Sequence, residues 1–379
     1  MKIYTQKKDC CGCGGCMQIC SRNAIEMIQD DEGFAYPNIN SERCIECGLC
    51  ENVCPIKNVS TKNDDVLGSY VGYAKNDNIR MNSSSGGVFS LLAENIISDD
   101  GVVYGAAFDE SFSVHHIGID CIEDLRYLRG SKYLQSRTEN TFKEVKVILE
   151  NGRKVLYTGT ACQIAGLKQY LNKEYKDLIT VDVLCHGVPS PKVWDYYLEK
   201  KRQENNTEIR YINFRNKRNG WKKFEVKIDY LNSNKYEKVY SEDPYMLFFL
   251  EEMCLRPSCH NCLFKKLERP TDLTIGDCWG IENYMKQMDD DKGTSVIFTH
   301  TKKGEEMLKS IWDKMKICKG EKDSLLSPNA DSRKSVVAHP NRKLFFELLN
   351  KNASIDELIK IRQISYLKKI KNLFFKLFK

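Results

Sequence analysis

The sequence predicts a protein of mixed α+β and α/β class, with a small cysteine-rich N-terminal domain and a helical C-terminal tail. Three observations support this prediction. Two cysteine runs lie within the first 55 residues, a strand–helix–strand pattern with apolar strands covers 155–184, and an apolar–basic pattern of helical period covers 355–379. The 379 residues suffice for two or three domains with a substantial core. We place domain boundaries to give segments 1–60, 70–175, 176–330 and 331–379.

The N-terminal cysteines form a duplicated pattern with the spacing C-x2-C-x2-C-x3-C. The first run begins at Cys10 and the second begins 34 positions later, at Cys44. This spacing is typical of two 4Fe–4S clusters in which the fourth cysteine of each run binds the other cluster. We expect one cluster on Cys10, Cys13, Cys16 and Cys54, and the other on Cys44, Cys47, Cys50 and Cys20. Cys11 is surplus to the pattern. Paired zinc sites are the alternative, which the duplicated four-cysteine run disfavours.

Residues 1–60 resemble bacterial-type two-cluster ferredoxin domains. The resemblance rests on both cysteine runs, on Pro55 after the second run, and on the segment Gly33–Pro37 between them. Ser21 departs from the pattern, because proline usually follows the first run. The resemblance implies a small electron-carrying domain at the start of the chain.

Composition and charge argue against nucleic-acid binding and against a membrane-spanning segment. The net charge of +6 is too small and too scattered to favour nucleic acid, and no apolar run approaches the ~20 residues of a membrane span. No hydrophobic signal segment opens the sequence, and iron–sulfur clusters need reducing conditions, so we expect a cytoplasmic protein of an anaerobe. The basic tail from Ile355 to Lys379 could bind anionic lipid at the membrane periphery. Packing against the domain or a partner is the alternative.

A Ser/Gly turn precedes a predicted helix near residue 88. After a strand at Val71–Ala74, the turn contains Ser84, Ser85, Gly86 and Gly87, and an apolar stripe begins at Val88. Free N–H groups at a helix start can bind a phosphate, whereas ordinary N-capping by serine is the alternative. No G-x-G-x-x-G pattern occurs, so an ordinary Rossmann dinucleotide site is not supported.

Two predicted strands, 102–108 and 114–119, lead to a loop with Gly130, Ser131, Lys132 and Tyr133. A cation, hydroxyl groups and an aromatic ring together suit a flavin or its phosphates. His115 and His116 point to opposite faces of their strand, which makes them poor joint ligands for a metal.

The strand–helix–strand pattern predicts a parallel pair of strands whose carboxyl ends meet at one edge of a sheet. The first strand ends in Thr158, Gly159, Thr160, Ala161, Cys162 and Gln163; the second covers 178–184 and is followed by Cys185 and His186. Ligands gather at such an edge. Cys162 and Cys185 are either site residues or buried structural cysteines. His186 is the candidate general acid.

A second group of cysteines follows a predicted antiparallel meander at 205–240. It comprises Cys254, Cys259, Cys262 and Cys278. Because the chain already carries iron–sulfur ligands, we expect these four to bind a third 4Fe–4S cluster, with zinc as the alternative.

Several segments between residues 70 and 330 together resemble the beta-subunit family of coenzyme F420 hydrogenases and dehydrogenases. They are Ser85–Phe89, Arg129–Tyr133, Thr158–Gln163, Cys185–Ser190, and Cys259–Cys262 with Gly276–Asp277. Ala161 departs from the family, in which proline is expected. The resemblance implies FAD, an iron–sulfur cluster and exchange of electrons with a hydride carrier. It also implies cofactor contacts from Ser84–Gly87, Gly130–Tyr133, Thr158, Gly159, Thr160 and Gln163.

These observations predict an FAD- and 4Fe–4S-dependent oxidoreductase that exchanges electrons with a hydride-carrying coenzyme or small substrate. A ferredoxin-like protein or another redox enzyme would be its partner. Two alternatives remain: an electron-transfer subunit without a substrate of its own, and a zinc-stabilised interaction protein.

Overall fold

A computed structural model of the chain describes residues 3–59, 66–266, 268–326 and 333–362. The strands of this part are β1 (Ile25–Gln29), β2 (Ala35–Ile39), β3 (Gly68–Ala74), β4 (Val102–Phe108), β5 (Val114–Ile119), β6 (Val155–Thr160), β7 (Leu178–Val183), β8 (Ile209–Asn216), β9 (Glu225–Tyr230), β10 (Lys235–Val239), β11 (Leu273–Asp277), β12 (Ser295–Thr299) and β13 (Met315–Lys319). The helices are α1 (Gly15–Ile19), α2 (Leu49–Asn52), α3 (Asp77–Met81), α4 (Val88–Ser98), α5 (Leu125–Leu128), α6 (Thr141–Glu150), α7 (Ala161–Leu171), α8 (Pro191–Asn205), α9 (Pro244–Leu250), α10 (Lys302–Lys309), α11 (Lys322–Leu326) and α12 (Arg342–Leu349). Residues 355–362 are also helical.

The N-terminal unit repeats in structure the duplication of its sequence. The antiparallel hairpin β1–β2 lies between two short helices, and each helix carries one cysteine, Cys16 in α1 and Cys50 in α2. Each helix begins after a glycine in the left-handed region, Gly14 with φ 74° and Gly48 with φ 75°. Other residues rarely adopt this conformation, so glycine allows the chain to turn tightly around the cysteine side chains.

An eight-stranded mixed sheet forms the centre of the protein. Its order is β13-β3-β12-β11-β7-β6-β4-β5. The strands β4, β6, β7 and β11 are parallel neighbours, and the remaining strands pair antiparallel on either side. The predicted parallel pair, β6 and β7, is confirmed at the middle of this sheet. Strands from the predicted segments 70–175 and 176–330 both belong to it.

A three-stranded antiparallel sheet, β8–β9–β10, forms the predicted meander. Its core is aromatic: Trp194, Phe214 and Tyr245 are fully buried, and the Trp194 and Tyr245 rings lie 4.8 Å apart. Phe345 of α12 and Leu358 pack into the same core. The described part of the predicted tail therefore contributes to the core, and the basic residues 363–379 lie outside the described residues.

The predicted fold class is confirmed: a mixed α/β core follows a small N-terminal unit with a ferredoxin-like arrangement. Helix α7 begins directly after β6, and α4 begins at Val88, where its apolar stripe was predicted to begin. Within the described ranges, no helix combines the length and the apolar character that crossing a membrane requires.

Candidate functional site

Four cysteines of the N-terminal unit surround one small apolar hollow at its outer end. They are Cys20, Cys44, Cys47 and Cys50, the set predicted to share one cluster. The backbone N–H of Ala24 donates to Cys20 Sγ at 3.3 Å, the kind of contact that tunes a cluster. Cys47 is exposed, so this distal cysteine group lies at the protein surface.

The other predicted set, Cys10, Cys13, Cys16 and Cys54, includes two residues that contact the core: Cys13 contacts α7 and Cys10 contacts Arg256. Burial, reinforced by the neighbouring thiols of Cys10 and Cys54, raises the pKa of Cys16 to about 12. Cys13 lies against Gly166 of α7, where a Cβ atom would approach Cys13 Sγ to 2.9 Å. We call this set the proximal cysteine group. A residue larger than glycine at position 166 would collide with Cys13, so Gly166 allows the two units to pack closely.

Buried hydrogen bonds fix the N-terminal unit to the core. The Thr138 hydroxyl donates to the Cys13 carbonyl at 2.7 Å. Gln18 is 2% exposed; its amide donates to Thr138 Oγ1 at 3.2 Å, and its Oε1 accepts from the Phe142 N–H at 2.8 Å. Separating the two units would break these buried hydrogen bonds of Gln18 and Thr138, which would leave their polar atoms without these partners.

A cavity of about 900 Å³ lies at the carboxyl ends of β6 and β7, where the sequence predicted a site. Most predicted cofactor residues and the predicted general acid line it. They are Ser84, Ser85, Gly87, Gly130, Ser131, Lys132, Tyr133, Thr158, Gly159, Thr160, Gln163 and His186. Gly86 is different: its N–H donates to Ser295 Oγ at 2.9 Å, and it does not line the cavity. Because Gly86 has no side chain, the turn can pack closely against Ser295 of β12.

The Ser/Gly turn presents the start of α4 to this cavity. Gly87 is the N-cap residue, with φ 89°, and the helix start has no side-chain cap. Capping by serine, the alternative interpretation of this turn, is therefore wrong. Instead, Ser84 Oγ accepts from the N–H of Ser131 at 2.7 Å, which ties the turn to the next loop. Gly87, Val88 and Phe89, at the helix start, line the cavity.

Two cations lie beside the helix start. Arg129 donates to Ser90 Oγ at 3.0 Å and pairs with Glu94 at 3.1 Å. Lys132 donates through Nζ to the carbonyls of Tyr127 and Arg129 at 2.8 and 2.9 Å. Burial lowers the pKa of Lys132 to about 7. The ammonium group is thus positioned by backbone carbonyls, without a carboxylate among its hydrogen-bond partners in the described part of the chain.

The turn after β6 is shaped by side chains that the sequence predicted as cofactor contacts. Thr160 and Gln163 form a reciprocal capping box at the start of α7. Gln163 also donates to the Ser136 carbonyl at 3.0 Å. The pattern T-x-x-Q is a sequence signal for this arrangement. His116, which the sequence left aside, lines the cavity behind this turn; Nδ1 lies 2.7 Å from Ser136 Oγ, and burial lowers the pKa of His116 to about 4.

Five thiols line the wall of the cavity nearest to the proximal cysteine group. They belong to Cys11, Cys162, Cys185, Cys259 and Cys262. The Cys11 thiol contacts the thiols of Cys13 and Cys162, and Cys185 lies within electrostatic range of Cys162, Cys259 and Cys262. Burial, with the Cys162 and Cys262 thiols nearby, raises the pKa of Cys259 to about 12. The structure thus brings together cysteines from the N-terminal unit, both strand ends and the 254–262 loop.

Two cysteines predicted for the third cluster lie elsewhere. Cys254 is fully buried in the aromatic core, and its carbonyl accepts from the Ser190 N–H at 2.9 Å. Cys278 is also fully buried, within a separate apolar cluster, with Sγ 3.6 Å from the Tyr284 hydroxyl. Only Cys259 and Cys262 of the predicted set line the cavity.

Zinc is the alternative metal for the thiols of the N-terminal unit and for those of the cavity wall. In the ranges that the structure describes, no three His, Cys, Asp or Glu side chains form a group that could hold a single metal ion. A cubane needs a wider arrangement, because each thiolate binds a different iron. Metal content of the purified protein distinguishes the two occupants.

Two family models match the chain. Residues 152–324 match the model described as the C terminus of the coenzyme F420 hydrogenase/dehydrogenase beta subunit. Residues 9–58 match the 4Fe–4S dicluster domain. The chain carries both domains. The two predicted resemblances are confirmed, and we call the matched segments the beta-subunit domain and the dicluster domain.

Individual relatives are more distant. An uncharacterised polyferredoxin-like protein of Methanocaldococcus jannaschii is 36% identical over 58 residues, which are 13% of this chain and 34% of that protein. The chain therefore matches about a third of the length of this curated relative. A chain of the F420-reducing [NiFe] hydrogenase complex from Methanosarcina barkeri, solved as a xenon derivative, is 17% identical. That match covers 80% of this chain and 92% of the other, with a TM-score of 0.46.

The beta-subunit domain supplies a histidine–carboxylate pair to the cavity wall. His186 Nε2 lies 3.3 Å from Glu252 Oε1, and both side chains are partly buried. The edge of the His186 ring meets Phe249, with the ring centroids 5.1 Å apart. The carbonyl of His186 accepts from Lys265 at 2.9 Å, which fixes the backbone of this loop.

A buried ion pair forms another part of the wall. Arg215, at the end of β8, is 4% exposed and donates to both carboxylate oxygens of Asp277, at 2.7 and 3.2 Å. It also donates to the Tyr133 hydroxyl at 2.9 Å. Sequence reasoning missed Arg215, because its partners lie 62 and 82 positions away in the chain.

Proposed function

We propose that this protein is an FAD- and 4Fe–4S-dependent oxidoreductase that transfers electrons between its dicluster domain and a hydride-accepting coenzyme or substrate. The observation that carries the proposal is the cavity itself. It has thiols on the wall nearest the proximal cysteine group and a helix start with two cations on another wall. An iron–sulfur protein with a ligand-sized cavity beside its cysteines is equipped to couple single electrons to two-electron chemistry.

The third cluster would be bound by Cys162, Cys185, Cys259 and Cys262. All four line the cavity, and the latter two come from the local C-x2-C pair of the sequence-based prediction. Cys254 and Cys278 are excluded from this proposal because each lies in a separate apolar core. Cys11 lies between this set and Cys13, so the proposed cluster would be close to the proximal one.

The cavity fits FAD in size and in the chemistry of its wall. Its volume of about 900 Å³ lies within the usual range for cofactor sites, about 300–1,000 Å³. The N–H groups at the start of α4 would bind a phosphate, and Arg129 and Lys132 would offset its charge. When bound, FAD supplies hydride exchange together with single-electron exchange. Ser84 and Ser131 would hold the two loops around it through their hydrogen bonds.

His186 remains the proposed general acid. Its ring lines the cavity, and the Glu252 carboxylate beside Nε2 can orient the ring and exchange a proton with it. Phe249 contacts the His186 ring in an edge-to-face arrangement. The proposed role of His186 is to deliver a proton to the substrate or coenzyme, while Glu252 positions it.

The second candidate function is an electron relay that has no substrate of its own. It is favoured by the surface around the distal cysteine group, where Ile45 is 62% exposed and Leu49 43% exposed. An exposed apolar margin suits a transient contact with a ferredoxin-like protein or a redox enzyme. The reducing conditions that the clusters require also lead us to propose a cytoplasmic location.

Metal and flavin content of the anaerobically purified protein would test the proposal. We expect about twelve irons with matching acid-labile sulfide, and one FAD, because each of three cubanes holds four irons. Eight irons with FAD would contradict the third cluster but keep the oxidoreductase. Eight irons without FAD, even after FAD is added, would favour the relay. Zinc without iron would contradict the redox function altogether.

We expect FAD affinity to fall as pH rises above 7. Burial lowers the pKa of Lys132 to about 7, so its ammonium loses its proton near neutrality and no longer attracts a phosphate. The dissociation constant, from quenching of flavin fluorescence, should rise about tenfold between pH 6 and pH 8.5. In a Lys132→Met variant affinity should be weak and flat over this range. An equal pH dependence in the variant would show that another group titrates.

A further inference from the structure

Arg256 is a fully buried cation at the junction of the dicluster domain and the beta-subunit domain. Its Nε donates to the Cys10 carbonyl at 2.8 Å, and Nη2 lies 3.6 Å from Cys10 Sγ. Nη1 donates to Gln135 Oε1 at 2.9 Å, and Nη2 donates to the Ala35 carbonyl at 3.0 Å. The guanidinium carbon lies 4.3 Å from the centre of the Tyr36 ring. The charge is therefore held in one place by contacts from the dicluster domain and from Gln135.

The other buried arginines of the described chain each pair with an aspartate. Arg80 pairs with Asp290, Arg215 with Asp277 and Arg269 with Asp182. Arg256 differs: among the described residues, none of its hydrogen bonds or ion pairs involves a carboxylate. Burying a guanidinium without a counter-charge is strongly unfavourable, so a negative charge of another kind is required.

The surrounding groups that can become anionic are mostly thiols. Those nearest the guanidinium belong to Cys10, Cys11 and Cys259, together with the phenol of Tyr36. Burial raises the pKa of the Tyr36 phenol, which keeps it neutral at physiological pH. The thiols, in contrast, become thiolates when they bind iron. Cys10 belongs to the proximal cysteine group, and Cys259 belongs to the proposed third cluster.

We infer that Arg256 is the shared counter-cation of the proximal cluster and the third cluster, and that it raises the reduction potential of both. The inference rests on the proposed iron–sulfur function. A cubane bound by four thiolates is an anion, and its reduction adds a further negative charge. A fixed cation beside the ligands therefore stabilises the reduced form more than the oxidised form. The distal cysteine group is at the other end of the dicluster domain and lacks this contact in the described structure.

Gly12 provides the space for this arrangement. With φ 71° it lies in the left-handed region, and a Cβ atom at this position would collide with Gln135 Nε2 and come within 2.9 Å of Arg256 Nη1. A side chain there would crowd the guanidinium and its partner Gln135. The glycine between Cys11 and Cys13 thus serves the approach of the cation as well as the turn of the backbone.

Potentials of the separate clusters in Arg256 variants would test the inference. Redox titration monitored by electron paramagnetic resonance would follow the protein, Arg256→Gln and Arg256→Lys. Signals are assigned by their loss in Cys47→Ala for the distal cluster and in Cys185→Ala for the third. Arg342→Gln is the matched control, because Arg342 also joins the dicluster hairpin to the same loop, contacting Glu32 and the Leu255 carbonyl, but its charge is already paired.

In Arg256→Gln we expect the ratio of reduced to oxidised proximal cluster at fixed potential to fall about tenfold, which is 59 mV for one electron. The third cluster should shift in the same direction, and the distal cluster should stay unchanged. Arg256→Lys, which keeps the charge, should lie close to the wild-type protein, as should Arg342→Gln. Unchanged potentials in Arg256→Gln, or equal shifts in Arg256→Lys, would overturn the inference, because the second result indicates a purely structural role.

Gln135→Glu provides an independent test if Arg256→Gln does not fold. It is nearly isosteric and places a carboxylate on Nη1, which neutralises the same charge in place. The ratio of reduced to oxidised proximal cluster at fixed potential should again fall about tenfold, and an unchanged reduction potential would overturn the inference. A wild-type protein without a proximal-cluster signal would instead contradict the proposed iron–sulfur function, so the two failures are distinguishable.

Discussion

Replacing Cys162 by alanine is expected to lower the iron content from about twelve to about eight per chain, with an equal loss of acid-labile sulfide. Cys162 lies at the start of α7, lines the cavity and contacts the Cys11 thiol. Its loss removes one of the four proposed ligands of the third cluster. The Cys11 thiol beside Cys162 is removed as well in a Cys11→Ala/Cys162→Ala double variant, in which the same loss of iron is expected. Iron and sulfide analysis of the anaerobically purified variant provides the measurement.

The same substitution at two other buried cysteines is the control. Cys254→Ala and Cys278→Ala remove sulfur atoms from apolar cores, so iron content should stay at the wild-type value. A loss of iron in Cys278→Ala with retention in Cys162→Ala would reverse the assignment and restore the set predicted from the sequence. Equal retention in all three variants would exclude both sets.

Replacing Arg215 by methionine is expected to lower the free energy of unfolding by about 3–5 kcal/mol. The substitution removes the guanidinium from Asp277, a carboxylate whose side chain is only 19% exposed. It also removes a donor from the Tyr133 hydroxyl and a cation 4.1 Å from the centre of the Phe224 ring. Urea unfolding followed by tryptophan fluorescence suits the measurement, because the stacked Trp221 and Trp279 rings lie beside this pair.

Arg153→Met is the matched control for this prediction. Arg153 also pairs with two carboxylates, but those of Asp100 and Asp120 are 91% and 61% exposed. Exposed pairs contribute about 0–1 kcal/mol, so this variant should unfold almost as the wild type does. Equal losses in the two variants would show that burial of the Arg215–Asp277 pair does not determine its contribution.

The parts of the fold that were predicted from the sequence depend on local patterns. The duplicated cysteine run fixes its own geometry over a few residues, and Cys20, Cys44, Cys47 and Cys50 line one hollow. The strands β4 and β5 have the predicted bounds, because continuous apolar runs ending in polar turns mark buried strands. The β6–β7 pair followed from its helical connection.

The proposed ligands of the third cluster do not follow from spacing. Cys254 and Cys278 are near Cys259 and Cys262 in the chain, but local packing turns both side chains into apolar cores. Cys162 and Cys185 are far away in sequence and reach the cavity because two parallel strands end there. Spacing predicts ligands only when they lie on one turn or loop. The hydrogen-bond partners of Arg256 could not be predicted from the sequence either, since Cys10 lies 246 positions away in the chain.

The helix α7 carries Cys162 near its start and Gly166 one turn later. These four residues correspond to a rise of about 6 Å along the helix. On the proposed assignment, the first residue holds the third cluster and the second receives Cys13 of the proximal cluster. The separation of two redox centres is then set by rigid helical backbone instead of by a hinge between domains. Electron tunnelling across this junction would proceed at a constant distance, so the protein's control over electron flow must act at its two ends: partner contact at the distal group and ligand occupancy in the cavity.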